Sequence, residues 1–345
     1  MSELAAAPAS LATQPSHSSP PPLLPLPPGC FDAASCKSRP SSLTSSTGWP
    51  QAADYSGLLN PTDPVLSQAN FVFLRYCTSD AWVGSSTSPM PTLPSFSMLG
   101  RVYLDGVLRQ LAADHGLGAS AGTRILFTGC SAGARGALFN THYVAALLPS
   151  LFPAPHLAAF GALYDSAWWM DLAPLNQAEV PFSAQVQAVY SMLGAGAQGY
   201  LNPACTAAFP GQEGWKCMMG EYATNFTQSD YMIHVYQFDA FQLASDIGHK
   251  PASAAELAYA NTFRADLRAA AEATVLGPHR PGTAALLPAC YHHCNTQGST
   301  FATATTDGVT LEGVLAKWFA ALPGGEGQMV MEDCTGFACG KDCPV

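Results

Sequence analysis

The stretch Thr123–Gly133 reads TRILFTGCSAG, an apolar run that ends in a G-x-S-x-G sequence at 129–133. Such an apolar run is typical of a buried strand. Residues 134–148 predict a helix that Pro149 stops, because alanines and leucines recur there at helical spacing. A strand that turns at once into a helix places Ser131 on a strained turn with its hydroxyl exposed. We therefore predict that Ser131 is a nucleophile.

Two glycines frame this turn. We expect Gly129 and Gly133 to be required, because a Cβ at either position would collide with the strand or the helix across so sharp a bend.

Apolar runs alternate with amphipathic segments along the rest of the chain. Strands are predicted at 70–75, 124–128, 156–164 and 232–238, helices at 98–115, 254–271 and 311–322, and a loop at 87–96. This alternation predicts an α/β-hydrolase-like fold with a doubly wound, mostly parallel sheet flanked by helices. Residues 1–29 are rich in Ala, Ser and Pro and predict a low-complexity, disordered segment. Residues 30–345 are expected to form a single domain.

Composition excludes some function classes. The chain of 345 residues has a formal net charge of −10 and no basic cluster, so nucleic acid is not an expected partner. No apolar run is long enough to span a membrane. The first residues lack a charged start and an apolar core, so they are not a signal peptide.

Eleven cysteines suggest either a disulfide framework or metal sites. Zinc sites favour C-x₂-C pairs, which are absent, so disulfides and an oxidising compartment are the stronger prediction. The count is odd, and we expect Cys130 to be the free thiol because it lies beside the nucleophile. A sequon at Asn225 agrees with secretion and predicts a glycoprotein.

A serine nucleophile needs an imidazole base and a carboxylate that orients it. Asp165 and Asp239 both follow predicted strands, where such sheets place their sites, and position alone does not separate them. The histidines after Asp239 are His249, His279, His292 and His293. Of these, His292 and His293 lie between Cys290 and Cys294, which could fix their loop.

Several motifs, in order, resemble the family of plant pectin acetylesterases and the related carboxylesterase Notum. They are Arg75–Trp82, Leu126–Gly133, Asp165–Asp171, Trp215–Cys217, Phe238–Leu243, Cys290–Cys294 and the cysteines at 334, 339 and 343. The resemblance covers the chain from about Cys30 to its end. It implies a secreted serine carboxylesterase that acts on an acylated polysaccharide or an acylated protein and uses no cofactor and no metal.

The resemblance also implies site residues. It selects Ser131, Asp239 and His293 as the catalytic triad and leaves Asp165 as a structural acid nearby. Trp82 matches a residue of the acyl pocket. Met218 and Met219 fall where Notum has bulky aromatic residues, which predicts a pocket of different shape. Removal of acetyl from a cell-wall polysaccharide such as pectin is the favoured activity, and deacylation of a lipidated protein is the alternative.

The sequence departs from the family around the oxyanion hole. One donor is expected to be the backbone N–H of Ala132. The second should come from a Gly-rich loop before Cys30, where this chain has Leu-Pro-Leu-Pro-Pro-Gly, so Gly29 is the remaining candidate. We expect the front of the domain to be truncated.

Two other functions compete with the esterase. One is an inactive relative that binds carbohydrate or lipid without turnover. The other is a metal protein that uses Cys290, His293 and Cys294 as ligands.

Overall fold

The computed structural model describes residues 30–47, 49, 55–60, 62, 66, 68–85, 97–152, 156–198, 200–275, 282–325 and 328–344. The predicted low-complexity segment 1–29 and the predicted loop at 87–96 lie outside these residues.

A parallel sheet of five strands forms the centre of the molecule. In their order across the sheet, its strands are β1 Thr123–Cys130, β2 Leu157–Asp165, β3 Asp230–His234, β4 Thr283–Leu287 and β7 Gln328–Met331. A short antiparallel pair, β5 Thr305–Thr306 and β6 Val309–Thr310, lies apart from this sheet.

Nine α-helices occur among the described residues. They are α1 Ala33–Lys37, α2 Gly100–Asp114, α3 Ala132–Leu151, α4 Phe182–Gln198, α5 Pro203–Ala208, α6 Gly220–Ala223, α7 Ala240–Ile247, α8 Ala254–Val275 and α9 Leu311–Ala320. In the part of the chain that the structure covers, no helix combines the length and the apolar character needed to cross a membrane.

Helices cover both faces of the sheet. On β2, Ala162 and Tyr164 belong to a core cluster that includes residues of α3, α4 and α8, whereas Leu163 between them packs in a second cluster with residues of α9. Because successive strand residues point to opposite faces, strands covered on both sides read as continuous apolar runs. The predicted α/β-hydrolase-like fold class is confirmed.

Three details differ from the sequence predictions. Residues 70–75 form no strand, and Val72 and Phe73 are 48% and 43% exposed. Pro149 lies within the last turn of α3 and does not stop it. Strand β3 ends at His234, yet the apolar run continues as buried backbone, with the Gln237 N–H donating to the Pro288 carbonyl at 2.9 Å.

The turn from β1 into α3 has an asymmetric steric requirement. A Cβ on Gly129 would lie 2.4 Å from the carbonyl carbon of Gly133, which is backbone and cannot rotate away. A Cβ on Gly133 would meet nothing within 4 Å. The prediction for Gly129 is therefore confirmed, and the prediction for Gly133 is wrong, because its helical backbone leaves open space.

These two glycines make a matched pair for a stability test. Gly129→Ala should lower the free energy of unfolding by about 1–3 kcal/mol, the usual cost of overpacking. Gly133→Ala should be neutral or raise it by up to about 1 kcal/mol, because alanine favours a helix over glycine. Chemical denaturation of both variants and wild type measures this, and equal destabilisation by the two would contradict it.

Candidate active site

Ser131 lies between the last residue of β1 and the first residue of α3. Its backbone has φ 54° and ψ −118°, a conformation that L residues rarely adopt. The Ser131 N–H donates to the carbonyl of Asp165 at the end of β2, at 2.9 Å. The serine therefore lies on a strained turn at the carboxyl ends of the strands, as predicted.

Asp239 and His293 form a hydrogen-bonded pair. Asp239 caps the start of α7, with one carboxylate oxygen accepting the Gln242 N–H at 2.9 Å. The other oxygen, Oδ2, accepts from Nδ1 of His293 at 2.8 Å. Because Asp239 is only 2% exposed and accepts both of these hydrogen bonds, it holds the imidazole in one orientation and one tautomer.

The second ring nitrogen of His293 remains available. Nε2 is buried and has no hydrogen-bond partner among the described residues. Burial alone would lower the pKa of His293, but the charge of Asp239 and its hydrogen bond outweigh burial, so the pKa lies above the usual 6.5. An imidazole with Nδ1–H bound to a carboxylate can accept a proton at Nε2.

A disulfide joins the serine turn to the histidine loop. Cys130, directly before Ser131, is bonded to Cys294, directly after His293, with 5.7 Å between their Cα atoms. The expectation that Cys130 carries the free thiol is therefore wrong, and Cys77 is the free cysteine. The error arose because 164 residues separate two cysteines that the sheet brings together.

The other disulfides exclude the proposed cysteine metal site. Cys290 is bonded to Cys343, and Cys294 to Cys130, so neither sulfur is a thiolate that could bind metal with His293. The remaining bonds are Cys30–Cys36, Cys205–Cys217 and Cys334–Cys339. The predicted disulfide framework is confirmed.

The carboxylate of Asp165 stabilises the loop that carries His293. It accepts Nδ1–H of His234 at 2.7 Å and the backbone N–H groups of Asn295 and Thr296 at 2.8 and 2.7 Å. Burial would raise the pKa of Asp165, but His234 and the hydrogen bonds lower it to about 2. His234 was not singled out from the sequence. The pair Asp165–His234 is fully buried and anchors the residues after His293.

A cavity of about 550 Å³ opens beside Ser131. Three aromatic residues line it: Trp82, Trp169 and Phe241. The ring centroid of Phe241 lies 5.2 Å from that of His293. Met218 and Met219 do not line it: they are 1% and 0% exposed and belong to the main core. The expectation that these methionines shape the pocket is corrected, because they lie at the end of a 3₁₀ helix, Gly211–Met218, where both pack into the main core.

Trp82 is held in the cavity wall by a buried carboxylate. Asp80 accepts the backbone N–H groups of Trp82, Gly84 and Gly100 at 2.9, 3.1 and 2.8 Å. The backbone of Trp82 has φ 63°, so these bonds maintain a strained conformation. Burial raises the pKa of Asp80.

The two candidate oxyanion donors differ in what the structure describes. Ala132 is the first residue of α3, so its N–H has no acceptor within the helix. Gly29 lies outside the described residues, although its neighbour Cys30 lines the cavity.

Sequence reasoning missed Arg135, which also lines the cavity. Its N–H donates to the Ser131 carbonyl, so the arginine lies one helical turn after the serine. That spacing, four residues on the same helix face, was visible in the sequence.

Removal of the Cys130–Cys294 disulfide should impair turnover even in the molecules that remain folded. The double variant C130A/C294A should lose at least tenfold in kcat/KM for an activated acetyl ester, because the histidine loop loses its covalent link to the serine turn. The double variant C205A/C217A, which removes a disulfide elsewhere, is the control. Loss of activity only in proportion to unfolding, for both variants alike, would contradict the prediction.

The chain is similar to known proteins in sequence and in fold. Residues 28–344 match the family described as Pectinacetylesterase. The palmitoleoyl-protein carboxylesterases Notum of Drosophila melanogaster and Homo sapiens are 27% and 28% identical over 76% and 64% of this chain. Pectin acetylesterase 11 of Arabidopsis thaliana is 25% identical over 92% of this chain and 81% of its own length.

A solved structure of the Wnt deacylase Notum from Drosophila superposes with a TM-score of 0.81 at 26% identity, covering 92% of this chain and 88% of that one. The chain spans only 38% and 45% of the length of the Drosophila and human relatives named above. With a family match across nearly its full length, the chain belongs to the pectinacetylesterase family.

Proposed function

We propose that this chain is a serine carboxylesterase that removes acetyl groups from a cell-wall polysaccharide such as pectin. The observation that carries this proposal is the pair Asp239–His293. Its free Nε2 belongs to a loop bonded through Cys294 to the residue before Ser131. Such a pairing next to a strained, cavity-lining serine has the chemistry of acyl transfer.

The mechanism follows from the hydrogen-bond directions. Nδ1–H of His293 donates to Asp239, so Nε2 takes the proton of Ser131 while Oγ attacks the ester carbonyl. The N–H of Ala132, with Gly29 as the second candidate donor, binds the developing oxyanion. His293 then gives the proton to the departing sugar hydroxyl. Water, deprotonated by the same nitrogen, hydrolyses the acyl-enzyme.

Substrate class and location are part of the proposal. The chain matches 81% of the length of Pectin acetylesterase 11, whose name gives pectin as its substrate, which supports a polysaccharide substrate. Five disulfides support an oxidising, extracellular compartment. Asn225 of the sequon is exposed, as a glycosylated asparagine must be.

A Notum-like deacylase of a lipidated protein is the second candidate. The size of the cavity and its aromatic wall at Trp82, Trp169 and Phe241 favour it. Arg135 in the same wall opposes it, because a buried alkyl chain would leave the guanidinium without water or a partner. Comparing kcat/KM for acetyl and long-chain acyl esters separates the two candidates.

Ser131→Ala should lower kcat for an activated acetyl ester by at least about 10⁴-fold, because no other group forms the acyl-enzyme. Ser191→Ala, on the exposed side of α4, is the matched control and should keep wild-type rates. Equal rates for wild type and Ser131→Ala would overturn the triad. If wild type binds acetylated pectin without turnover, the inactive binding relative is the correct function.

The pH dependence tests the role of Asp239. Only neutral His293 can act as a base, so kcat/KM should fall as pH drops through a pKa above 6.5. Asp239→Asn removes the charge that raises this pKa, so the acidic limb should move to lower pH while the rate falls by about 10⁴-fold. An unmoved limb in the pH–kcat/KM profile would show that Asp239 does not act on this histidine.

A further inference from the structure

The cavity beside Ser131 is positively charged in an acidic protein. The chain has a formal net charge of −10. Yet the described residues that line the cavity include two arginines, Arg39 and Arg135, and no aspartate or glutamate. An uncompensated pair of guanidinium groups in a concave site attracts anions into it.

Arg135 is held in place by aromatic rings and not by an acid. Its guanidinium carbon lies 4.1 Å from the ring centre of Trp169 and 5.6 Å from that of Phe139. Within the part of the chain that the structure describes, it makes no ion pair and its buried Nε has no hydrogen-bond partner. Burial lowers the pKa of Arg135 to about 10, so the group stays charged at neutral pH.

Arg39 is the second arginine that lines the cavity. Its Nε donates to Oγ of Ser79 at 3.1 Å. Burial raises the pKa of the Tyr76 phenol, and the charges of Arg39 and Arg135 lower it. The acid next to Ser79, Asp80, is only 2% exposed, and its carboxylate accepts hydrogen bonds from backbone N–H groups and from the Thr78 hydroxyl.

Such an arrangement is costly without a ligand. A charge taken out of water is destabilising unless it is paired, and stacking on Trp169 compensates only part of that cost. The Nε of Arg135 has no hydrogen-bond partner among the described residues, and a planar guanidinium can bind a carboxylate through two parallel hydrogen bonds.

We propose that Arg135, assisted by Arg39, is a subsite for a carboxylate on the substrate. The subsite selects acetyl esters of a sugar acid whose carboxylate is free. Arg135 lies four residues, or about 6 Å of helix rise, from Ser131, so the carboxylate and the acetyl group belong to the same or adjacent sugars. This inference rests on the proposed esterase function and adds a residue that determines specificity.

Two substrates that differ in the charge of their carboxyl groups test the subsite. Acetylated oligogalacturonate and its fully methyl-esterified form carry the same acetyl ester and differ in the free carboxylates. Wild type should have the higher kcat/KM for the free acid. In Arg135→Met, the ratio of kcat/KM for acid over methyl ester should fall by about 10- to 100-fold, mainly through KM.

Three further arginine variants serve as comparisons. Arg39→Met should lower the ratio less than Arg135→Met, and Arg135→Lys should retain part of it, because lysine keeps the charge without the planar fork. Arg109→Met makes the same change in net charge on an exposed face of α2, so it should leave the ratio unchanged.

Each outcome decides the proposal. An unchanged ratio in Arg135→Met, or an equal loss on both substrates, would overturn the subsite while leaving the esterase intact. Absence of turnover of either substrate by wild type would instead overturn the proposed function. Should Arg135→Met fail to fold, wild-type inhibition decides. Free galacturonate should then compete with the acidic substrate much better than its methyl ester, and equal inhibition would refute the subsite.

Discussion

The rest of the site depends on the hydrogen bonds of the buried residue Asp165. Its backbone carbonyl accepts the N–H of Ser131, and its carboxylate accepts two backbone N–H groups from the residues after His293. One residue at the end of β2 therefore connects the nucleophile turn to the base. The Cys130–Cys294 bond makes the same connection covalently, so two independent constraints fix the serine relative to the imidazole.

The fold and the candidate triad were largely predictable because their signals are local. Apolar runs indicate strands that are covered on both faces, and the G-x-S-x-G sequence after such a run indicates the sharp turn at Ser131. Asp239 could not be separated from Asp165 by position, since both follow parallel strands. Only the family resemblance favoured Asp239, and the structure pairs it with His293 and pairs Asp165 with His234.

What could not be predicted depends on contacts between distant segments. Residues 70–75 have strand-like composition, but Val72 and Phe73 contribute to the cavity wall and not to the sheet. The pairing of Cys130 with Cys294 follows from neighbouring strand ends, which spacing along the chain does not encode. Met218 and Met219 pack into the main core at the end of a 3₁₀ helix, and composition does not give the direction of that packing.

The charge of the cavity follows from how its acids are used. Asp80, Asp165 and Asp239 all lie near the site, but each is almost fully buried and directs its carboxylate toward backbone N–H groups or a histidine. These carboxylates therefore fix the loops that carry Trp82, His293 and the residues after His293. The arginines are left as the only full charges facing the cavity among the described residues, which is the charge that the proposed carboxylate subsite requires.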